Sequence, residues 1–338
     1  MFEIKKNYVF YVSMCLNTSE CMFFKGKNGC IGLFFSLFCA LTNAQQLPLF
    51  TQYREYAGVL NPAAISSDYF LDDYKMNFGL SVRSQWRGVA KNPKTQLLRG
   101  EWFNKRDYAT THLVVGGWLM NDQTGATGTT SAAGRVGVLI SGYPEQAGIS
   151  AGISLGMGQF RFDASSVALK NPNDPLGEQN FRQFYPDVAL GIYGYGALSD
   201  RNNYLYGGVS LPQAFAPDLL LRTSTKTYHL NRVRHYYAQM GFCQFLEDRS
   251  FWEASAWARY VPTAPLSIDM NVRYRLKNIL WLGAGYSTAR NLHVEMGFVF
   301  ETDGGPAFKI GYGYDSSFSN SLPYFGASHE VNISILLD

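Results

Sequence analysis

The residues of this chain that could perform chemistry are few, and their context argues against catalysis. Gly148–Gly152 and Gly152–Gly156 both match G-x-S-x-G, the nucleophile-elbow pattern of hydrolases. That motif places its serine on a turn between a strand and a helix. Here Ser150 and Ser154 lie within one alternating run of residues, with no helical pattern after it. We therefore expect small residues at a close backbone approach rather than a nucleophile.

Metal-binding patterns are equally weak. The histidines show no spacing typical of zinc ligands; they are His112, His229, His235, His293 and His329. Asn171, Asn173 and Asp174 could hold Ca²⁺ weakly, but the EF-hand spacing and its distal glutamate are missing, so a solvated turn is the favoured interpretation. We predict a protein that is not an enzyme and that uses no cofactor and no metal.

The pattern that organises the chain is strict alternation, clearest in Pro265–Leu276. Its apolar residues are Leu266, Ile268, Met270, Val272, Tyr274 and Leu276, and between them come Ser267, Asp269, Asn271, Arg273 and Arg275. Successive side chains of a strand point to opposite faces, so this segment has one apolar and one polar face. A soluble antiparallel sheet could show the same pattern. Its recurrence along the chain favours membrane-spanning strands with lipid on the apolar side.

Composition fits such a chain. Of 338 residues, 15% are aromatic and 16% are charged, against about 25% charged residues in ordinary soluble domains. The formal net charge is only +3, which suggests no nucleic-acid partner. The longest nearly continuous apolar run, Ile31–Leu41, is shorter than the roughly 20 residues of a transmembrane helix.

That apolar run has the parts of a secretory signal. Two lysines precede it, and Thr42–Ala44 follows it as a small-residue cleavage site. We predict that residues 1–44 form a signal peptide, with the mature chain beginning at Gln45. Because this leader is long for a signal, we expect translation to start at Met22.

Residues 45–338 divide into two predicted parts. Residues 45–73 have no period and form a lead-in that is long enough to enter a barrel as a plug. Residues 74–338 contain fourteen alternating segments, an even number as bacterial single-chain barrels require. The segments are 74–82, 94–104, 110–120, 128–141, 148–163, 185–198, 202–211, 229–245, 250–261, 265–276, 279–288, 291–300, 306–315 and 329–338. The predicted fold is an all-β, antiparallel transmembrane barrel of about 14 strands.

The connections between these segments differ in length. With the N-terminus on the periplasmic side, alternate connections should be short periplasmic turns and longer external loops. The three longest connections, 164–184, 212–228 and 316–328, all fall on the external side.

Charged residues recur on the face opposite the apolar one. They are Glu253, Arg259, Asp269, Arg273, Arg275, His293, Glu295 and Lys309. Charges in lipid cost several kcal/mol, so we expect these side chains to face a lumen. Their mixed signs favour a salt-bridged interior over a selective pore. On this basis Met270→Arg should cost about 2–4 kcal/mol and Asn271→Arg much less.

Several stretches occur in an order that matches a known family. They are QQLPLFTQY at Gln45–Tyr53, LNPA at Leu60–Ala63, RSQWRG at Arg83–Gly88, PKTQ at Pro93–Gln96, Asn121-Asp122 with Thr124-Gly125, Pro186-Asp187, RHYY at Arg234–Tyr237, YVPTAPLSIDMNVRYRL at Tyr260–Leu276, WLGAGY at Trp281–Tyr286, and GYDSSFS and GASHEVNI at Gly313–Ser319 and Gly326–Ile333. In this order they resemble the PorP/SprF family of outer-membrane proteins.

The resemblance implies an outer-membrane barrel associated with type IX secretion and gliding motility. Its partners would be outer-membrane lipid and either a secreted surface adhesin or components of the type IX machinery. Some family members look like structural components linked to a periplasmic ring and a peptidoglycan-binding lipoprotein, and this alternative stays open. A diffusion channel or hydrophobic-solute transporter is the alternative function, and it needs an open lumen.

Two loop segments carry the predicted partner-binding residues. One segment offers Phe181, Arg182, Phe184 and Tyr185, of types enriched at interface hot spots. The other is apolar for an exposed loop and contains Phe215, Leu219 and Leu220. The alternative is that these loops fold back over the lumen as a lid.

Overall fold

The computed structural model describes most of the chain after its first 46 residues. The described ranges are 47–72, 74–106, 109–167, 179–198, 203–222, 227–230, 232–246, 250–262, 264–277, 279–289, 291–301, 305–317 and 326–338. The predicted signal peptide and the weak Ca²⁺-site candidates Asn171, Asn173 and Asp174 lie outside these ranges.

Sixteen strands are described, fourteen of them in one closed antiparallel barrel. The barrel strands are β1 Met76–Ser84, β2 Lys94–Asn104, β3 Thr111–Thr124, β4 Thr127–Ile140, β5 Ala147–Phe162, β6 Phe181–Ala197, β7 Asn203–Leu211, β10 Tyr236–Phe245, β11 Phe251–Tyr260, β12 Ser267–Leu276, β13 Leu280–Ser287, β14 Asn291–Glu301, β15 Ala307–Ser317 and β16 Ser328–Leu337. Each pairs with the barrel strands before and after it, so that β7 pairs with β10, and β1 closes the barrel on β16. The predicted fold class and strand count are confirmed.

One predicted strand is shorter in the structure. The sequence predicts a strand over 229–245, but the barrel strand begins only at Tyr236. His229 and Leu230, at the start of the predicted range, belong to a separate two-stranded hairpin, formed by β8 (Leu219–Arg222) and β9 (Thr227–Leu230), and residues 232–235 belong to neither strand. The pattern is interrupted there, since Arg232 and Arg234 take the positions that apolar residues occupy before and after them.

The two ends of the barrel differ. Every second connection, beginning with the one between β2 and β3, lies at the same end of the barrel as the start of β1 and the end of β16. We call this end the turn mouth. The predicted long connections lie at the opposite end, the loop mouth. At this end β5 joins β6, β7 joins β10 and β15 joins β16.

Side chains alternate between a buried inner face and an exposed apolar outer face. In β12, Asn271, Arg273 and Arg275 are buried, whereas Met270 and Val272 are 47% and 51% exposed. Outward aromatic side chains pair near both mouths, which is the distribution expected at the two membrane interfaces. These pairs are Trp252 with Tyr274 at 4.6 Å between ring centroids, near the turn mouth, and Tyr236 with Tyr260 at 6.0 Å, near the loop mouth.

We expect Met270→Arg to destabilise the folded barrel by about 2–4 kcal/mol, because it places a charge on the lipid face. Chemical unfolding in lipid vesicles would measure this loss, with Met270→Leu as an apolar control. Similar stability of the Arg and Leu variants would contradict the orientation of β12. Asn271→Arg stays the comparison variant, and because Asn271 is only 2% exposed, the added charge would enter a packed lumen rather than an open one.

The barrel wall is uneven in height. Strands β3 to β6 have 14, 14, 16 and 17 residues, whereas β7 has 9. A 17-residue strand tilted by about 40° rises roughly 43 Å, against an apolar band of about 25 Å. Because β7 pairs only with Leu190–Ala197 of β6, the excess length of β6 lies at the loop mouth.

Residues 47–72, which we call the plug, form short helical segments. Tyr53–Tyr56 makes a 3-10 turn, followed by helix α1 (Ala57–Leu60) and, later, helix α2 (Ser67–Asp72). Asn61 closes α1 by donating its backbone N–H to Ala57 at 2.8 Å. Pro62 follows, and a proline cannot continue a helix. Among the residues described, no helix is long and apolar enough to cross a membrane.

Candidate functional site

The plug crosses the lumen from one mouth to the other. Near the loop mouth, the backbone N–H of Thr51 donates to Glu330 at 2.8 Å, three residues into β16. Near the turn mouth, Asp68 accepts a hydrogen bond from Asn77 at 2.7 Å, in the second residue of β1. The chain therefore runs through the barrel before it enters the first strand, and the plug is the site around which the inner face is arranged.

Arg54 lies at the centre of one ion-pair cluster. Its guanidinium lies 3.4 Å from Glu253 and also pairs with Glu295. Arg273 binds the same Glu253 at 2.6 Å, and the hydroxyl of Tyr206 donates to that carboxylate at 2.5 Å. Glu253 is fully buried. Since a buried charge is tolerated only when it is paired and hydrogen-bonded, plug and barrel depend on each other here.

A second cluster contains Glu55 of the plug. Its carboxylate lies 2.8 Å from Lys309, 3.4 Å from Arg273 and 3.9 Å from Arg99. Lys309 also binds Asp68 at 2.7 Å, so one lysine of β15 contacts both the 3-10 turn and helix α2 of the plug. These contacts reach strands β2, β12 and β15, and they fix the plug to well-separated parts of the wall.

The Asn61–Ala63 turn packs against three glycines of the barrel wall, Gly152, Gly191 and Gly208, which we call its seat. Added Cβ atoms at Gly152, Gly191 and Gly208 would collide with this turn, the last of them 2.8 Å from the Asn61 amide nitrogen. The same amide donates to the carbonyl of Ile192 at 3.1 Å. Glycine therefore allows a close backbone approach that a larger residue would block.

Arg135 of β4 completes this seat. Its guanidinium donates to the carbonyls of Pro62 at 3.1 Å and Ala64 at 2.7 Å, and it pairs with Glu101 at 2.5 Å. The LNPA stretch recognised in the sequence therefore lies where backbone carbonyls of the plug accept hydrogen bonds from the wall.

The eight predicted lumen-facing charges are all placed on the inner face. Six are buried: Glu253, Arg273, Arg275, His293, Glu295 and Lys309. Arg259 and Asp269 are less deeply buried, near the loop mouth, and pair with each other at 2.5 Å. Four of the eight, Glu253, Arg273, Glu295 and Lys309, contact the plug.

Other members of the charge network were not predicted. On the barrel they are Arg83, Arg99, Glu101, Arg135, Asp315 and Glu330, and in the plug they are Arg54, Glu55 and Asp68. The barrel residues could have been found, because they follow the same alternation. The plug residues carry no such signal, since their segment has no period.

In the structure, some of the predicted partner-binding residues are buried and others are exposed. The sequence predicts a loop that contains Phe181, Arg182 and Phe184 and a strand that begins at Tyr185, but all four residues lie at the start of one strand, since β6 begins at Phe181. Within the strand Phe181 and Tyr185 point inward and are buried, whereas Arg182 and Phe184 point outward and Phe184 is 65% exposed.

The second predicted segment is divided in the same way. Phe215 is 51% exposed, whereas Leu219 is 2% exposed and packs with Phe160 and Tyr185. The backbone N–H of Leu220 donates to the Gln183 side chain at 2.7 Å. The hairpin thus rests on the inward face of β6, so Leu219 is not available to a partner in this conformation.

The candidate nucleophiles are part of the wall. Ser150 and Ser154 point inward from β5 and are buried, and the strand continues past both serines to Phe162 between β4 and β6, without the turn that a nucleophile elbow needs. Within the described ranges, no three histidine, cysteine, aspartate or glutamate residues are grouped so as to hold a metal ion.

Solved structures with the same fold are outer-membrane barrels. A TodX monoaromatic hydrocarbon channel lacking S2 and S3 superposes with a TM-score of 0.52 at 10% identity, over 83% of this chain and 92% of that one. The Ralstonia pickettii toluene transporter TbuX gives 0.51 at 9% identity, over 83% and 92%. The P. putida toluene transporter TodX gives 0.50 at 10% identity, over 83% and 94%. At these identities the likeness concerns the fold alone.

A search of the curated proteins found no match. The family model described as type IX secretion system membrane protein PorP/SprF matches residues 42–335, which is nearly the whole chain. The matched range includes the plug and almost the entire barrel. The chain therefore belongs to the PorP/SprF family of type IX secretion system membrane proteins and is located in the bacterial outer membrane.

Proposed function

We propose that this protein is a sealed, non-enzymatic barrel of the type IX machinery that supports secretion or surface attachment of a partner adhesin. The observation that carries the proposal is the ion-paired plug. Arg54 and Glu55 bind inward-facing charges on β11, β12, β14 and β15. The side chains of these ion pairs are buried between the plug and the barrel wall. A lumen filled in this way suits a scaffold that presents its surfaces to other proteins.

A diffusion channel or hydrophobic-solute transporter is the alternative. The contacts between plug and inner face, both ion pairs and apolar clusters, argue against an open path for a solute among the described residues. Single-channel recording in planar bilayers tests the choice. We expect no large, steady conductance from the wild-type protein. Steady conductance at low voltage would favour the channel.

The loop mouth is the proposed binding side for the adhesin, recognised through its terminal domain. Phe215 and Phe184 are exposed there, and large exposed aromatic side chains are typical anchors at interfaces. The buried Leu219, Phe181 and Tyr185 would act indirectly, by holding the hairpin and the tall wall in place.

We expect the double substitution Phe184→Ala and Phe215→Ala to lower adhesin display about tenfold or more, because interface anchors of this type contribute about 2 kcal/mol or more each. Surface labelling of the adhesin in intact cells would measure display. Val209→Ala is the matched control, because Val209 is 56% exposed on the outer face of β7. Normal display in the double variant, with correctly assembled barrel, would place the binding site elsewhere.

The turn mouth is the proposed side for the periplasmic machinery, including a ring component or a peptidoglycan-binding lipoprotein. Its turns are short, and one of them carries Tyr143, which is 70% exposed. The nearby Lys105–Glu145 ion pair, at 2.6 Å, adds charged groups to the same rim. Recovery of such components with the purified barrel, followed by mass spectrometry, would identify this partner.

A further inference from the structure

Strand β6 extends beyond β7 at the loop mouth, and there its edge has no neighbouring barrel strand among the described residues. On one side, β6 pairs with β5 over its whole length, from Phe181 to Gly196. On the other side, its pairing with β7 begins only at Leu190. Among the described residues, the backbone of residues 181–187 therefore has a ladder on one side only, and Val188 is bonded on the other side by Ala214. The hairpin β8–β9 forms its own sheet and does not extend the barrel ladder.

The backbone groups that point to this open side can be identified. In an antiparallel strand, both polar groups of a residue face one neighbour, and the next residue faces the other. The carbonyl of Val188 accepts a hydrogen bond from Ala214 at 2.8 Å, and Ala214 lies just beyond the end of β7. Arg182, Phe184 and Pro186 have the same parity as Val188, so their backbone groups point to the open side.

Pro186 supports the same assignment independently. Proline has no backbone N–H, and within sheets it is confined to positions where no ladder hydrogen bond is lost. At position 186 the missing donor belongs to the open side, so the pairing of β6 with β5 remains complete. A proline here also shortens the edge that could pair, which is a common device against indiscriminate strand addition.

The open edge must lie outside the hydrocarbon. Unpaired backbone groups are not tolerated in contact with lipid, because each costs several kcal/mol. The height of β6 agrees, since its excess over the apolar band lies at the loop mouth. Phe184, 65% exposed beside this edge, is therefore an exposed apolar side chain above the bilayer.

Charge next to the edge indicates what could bind there. Arg161 of β5 and Arg182 of β6 are direct cross-strand partners. Both point outward, and like charges placed opposite each other are destabilising. Arg161 donates to the side chain of Asn121 at 2.8 Å, which holds it over the wall. An added strand with an acidic side chain beside Arg182 would neutralise this pair.

We propose that the exposed edge of β6 at Arg182–Pro186 accepts an extended segment of a partner protein by strand addition, with an acidic residue beside Arg182 and an apolar residue beside Phe184. Strand addition supplies affinity through main-chain hydrogen bonds and specificity through alternate side chains. This inference rests on the proposed partner-binding function, and it names the geometry and the chemistry of the segment that is bound.

The test uses the full-length barrel in lipid nanodiscs and fluorescein-labelled peptides of about ten residues, long enough for one strand. One peptide repeats Glu-Thr-Val-Thr, so that glutamate and valine alternate along one face of the strand, and the other repeats Lys-Thr-Val-Thr. Fluorescence anisotropy gives both affinities. We expect the wild-type protein to bind the glutamate peptide at least about tenfold more tightly, and Arg182→Glu to reverse the preference.

Phe184→Pro tests the edge itself. It removes the edge-facing N–H but no hydrogen bond to β5, so the barrel should assemble, which heat-modifiable migration on gels can verify. We expect about a tenfold loss of affinity for the glutamate peptide, whereas Phe184→Leu should retain wild-type affinity because it keeps the donor and an apolar side chain.

Three results would overturn the inference: no binding of the glutamate peptide, equal binding of the two peptides, or unchanged binding by assembled Phe184→Pro. These outcomes can be distinguished from failure of the proposed function. Adhesin display lost in the Phe184→Ala and Phe215→Ala variant, together with unchanged peptide binding by Phe184→Pro, would leave the function in place and exclude strand addition.

Discussion

We expect Glu253→Gln to destabilise the folded protein by about 3–5 kcal/mol, because it leaves buried arginines without their counter-charge. Glu253 is fully buried and binds Arg54 of the plug and Arg273 of β12. Chemical unfolding in lipid vesicles, followed by tryptophan fluorescence, would measure the loss. The same substitution should loosen the plug, since Arg54 loses one of its two carboxylate partners.

The matched control is Glu145→Gln. Glu145 pairs with Lys105 at 2.6 Å in a turn, with about half of its side chain exposed, and surface ion pairs contribute about 1 kcal/mol or less. The double variant Glu253→Gln/Arg273→Gln should lose less than the sum of the two single variants, because residues in one network are coupled. Equal losses at Glu253 and Glu145, or strict additivity, would contradict the network.

We expect Gly191→Leu to open the barrel. Gly191 points inward from β6, and any Cβ added there meets the side chain of Asn61 and lies 3.1 Å from the Pro62 ring. A leucine cannot fit beside this turn, so the turn must leave its seat, and the hydrogen bond from Asn61 to Ile192 is lost. Planar-bilayer recording should then show conductance that the wild-type protein lacks.

Gly194→Leu is the control for this substitution. Gly194 lies three residues along the same strand and points outward, where the nearest atom to an added Cβ is 3.5 Å away. Both variants should migrate as folded barrels on gels, since neither glycine is required by a positive φ. If folded Gly191→Leu protein gave no conductance, packing of the Asn61–Ala63 turn on its seat would not be what keeps the lumen closed.

Most of the barrel could be predicted from local patterns, because a strand has a period of two residues. Where lipid covers one face, the alternation of apolar and polar residues has to persist across the whole strand, as it does from Ile268 to Leu276. The number of strands and the direction of most side chains follow from that requirement. The inward position of the eight predicted charges follows as well, since lipid excludes them.

The plug could not be described in this way. Several of its side chains meet partners more than 180 residues away in the sequence, such as Arg54 with Glu253, and no periodic signal marks such pairs. The glycines at 152, 191 and 208 look like ordinary small strand residues until the Asn61–Ala63 turn is placed against them. Asn271 likewise reads as a tolerant lumenal position, yet the packed lumen makes it a buried one.

The structure of the loop mouth also depends on contacts between residues that are distant in sequence. Phe181–Tyr185 alternates no more strongly than a loop, and it becomes strand because β5 extends beside it. Leu219 is apolar in either environment, and only its packing with Phe160 and Tyr185 places it inside. Local periodicity thus determines which residues face lipid, because the membrane acts on every strand alike. The contents of the lumen and the edge of β6 depend on the three-dimensional arrangement of segments that are distant in sequence.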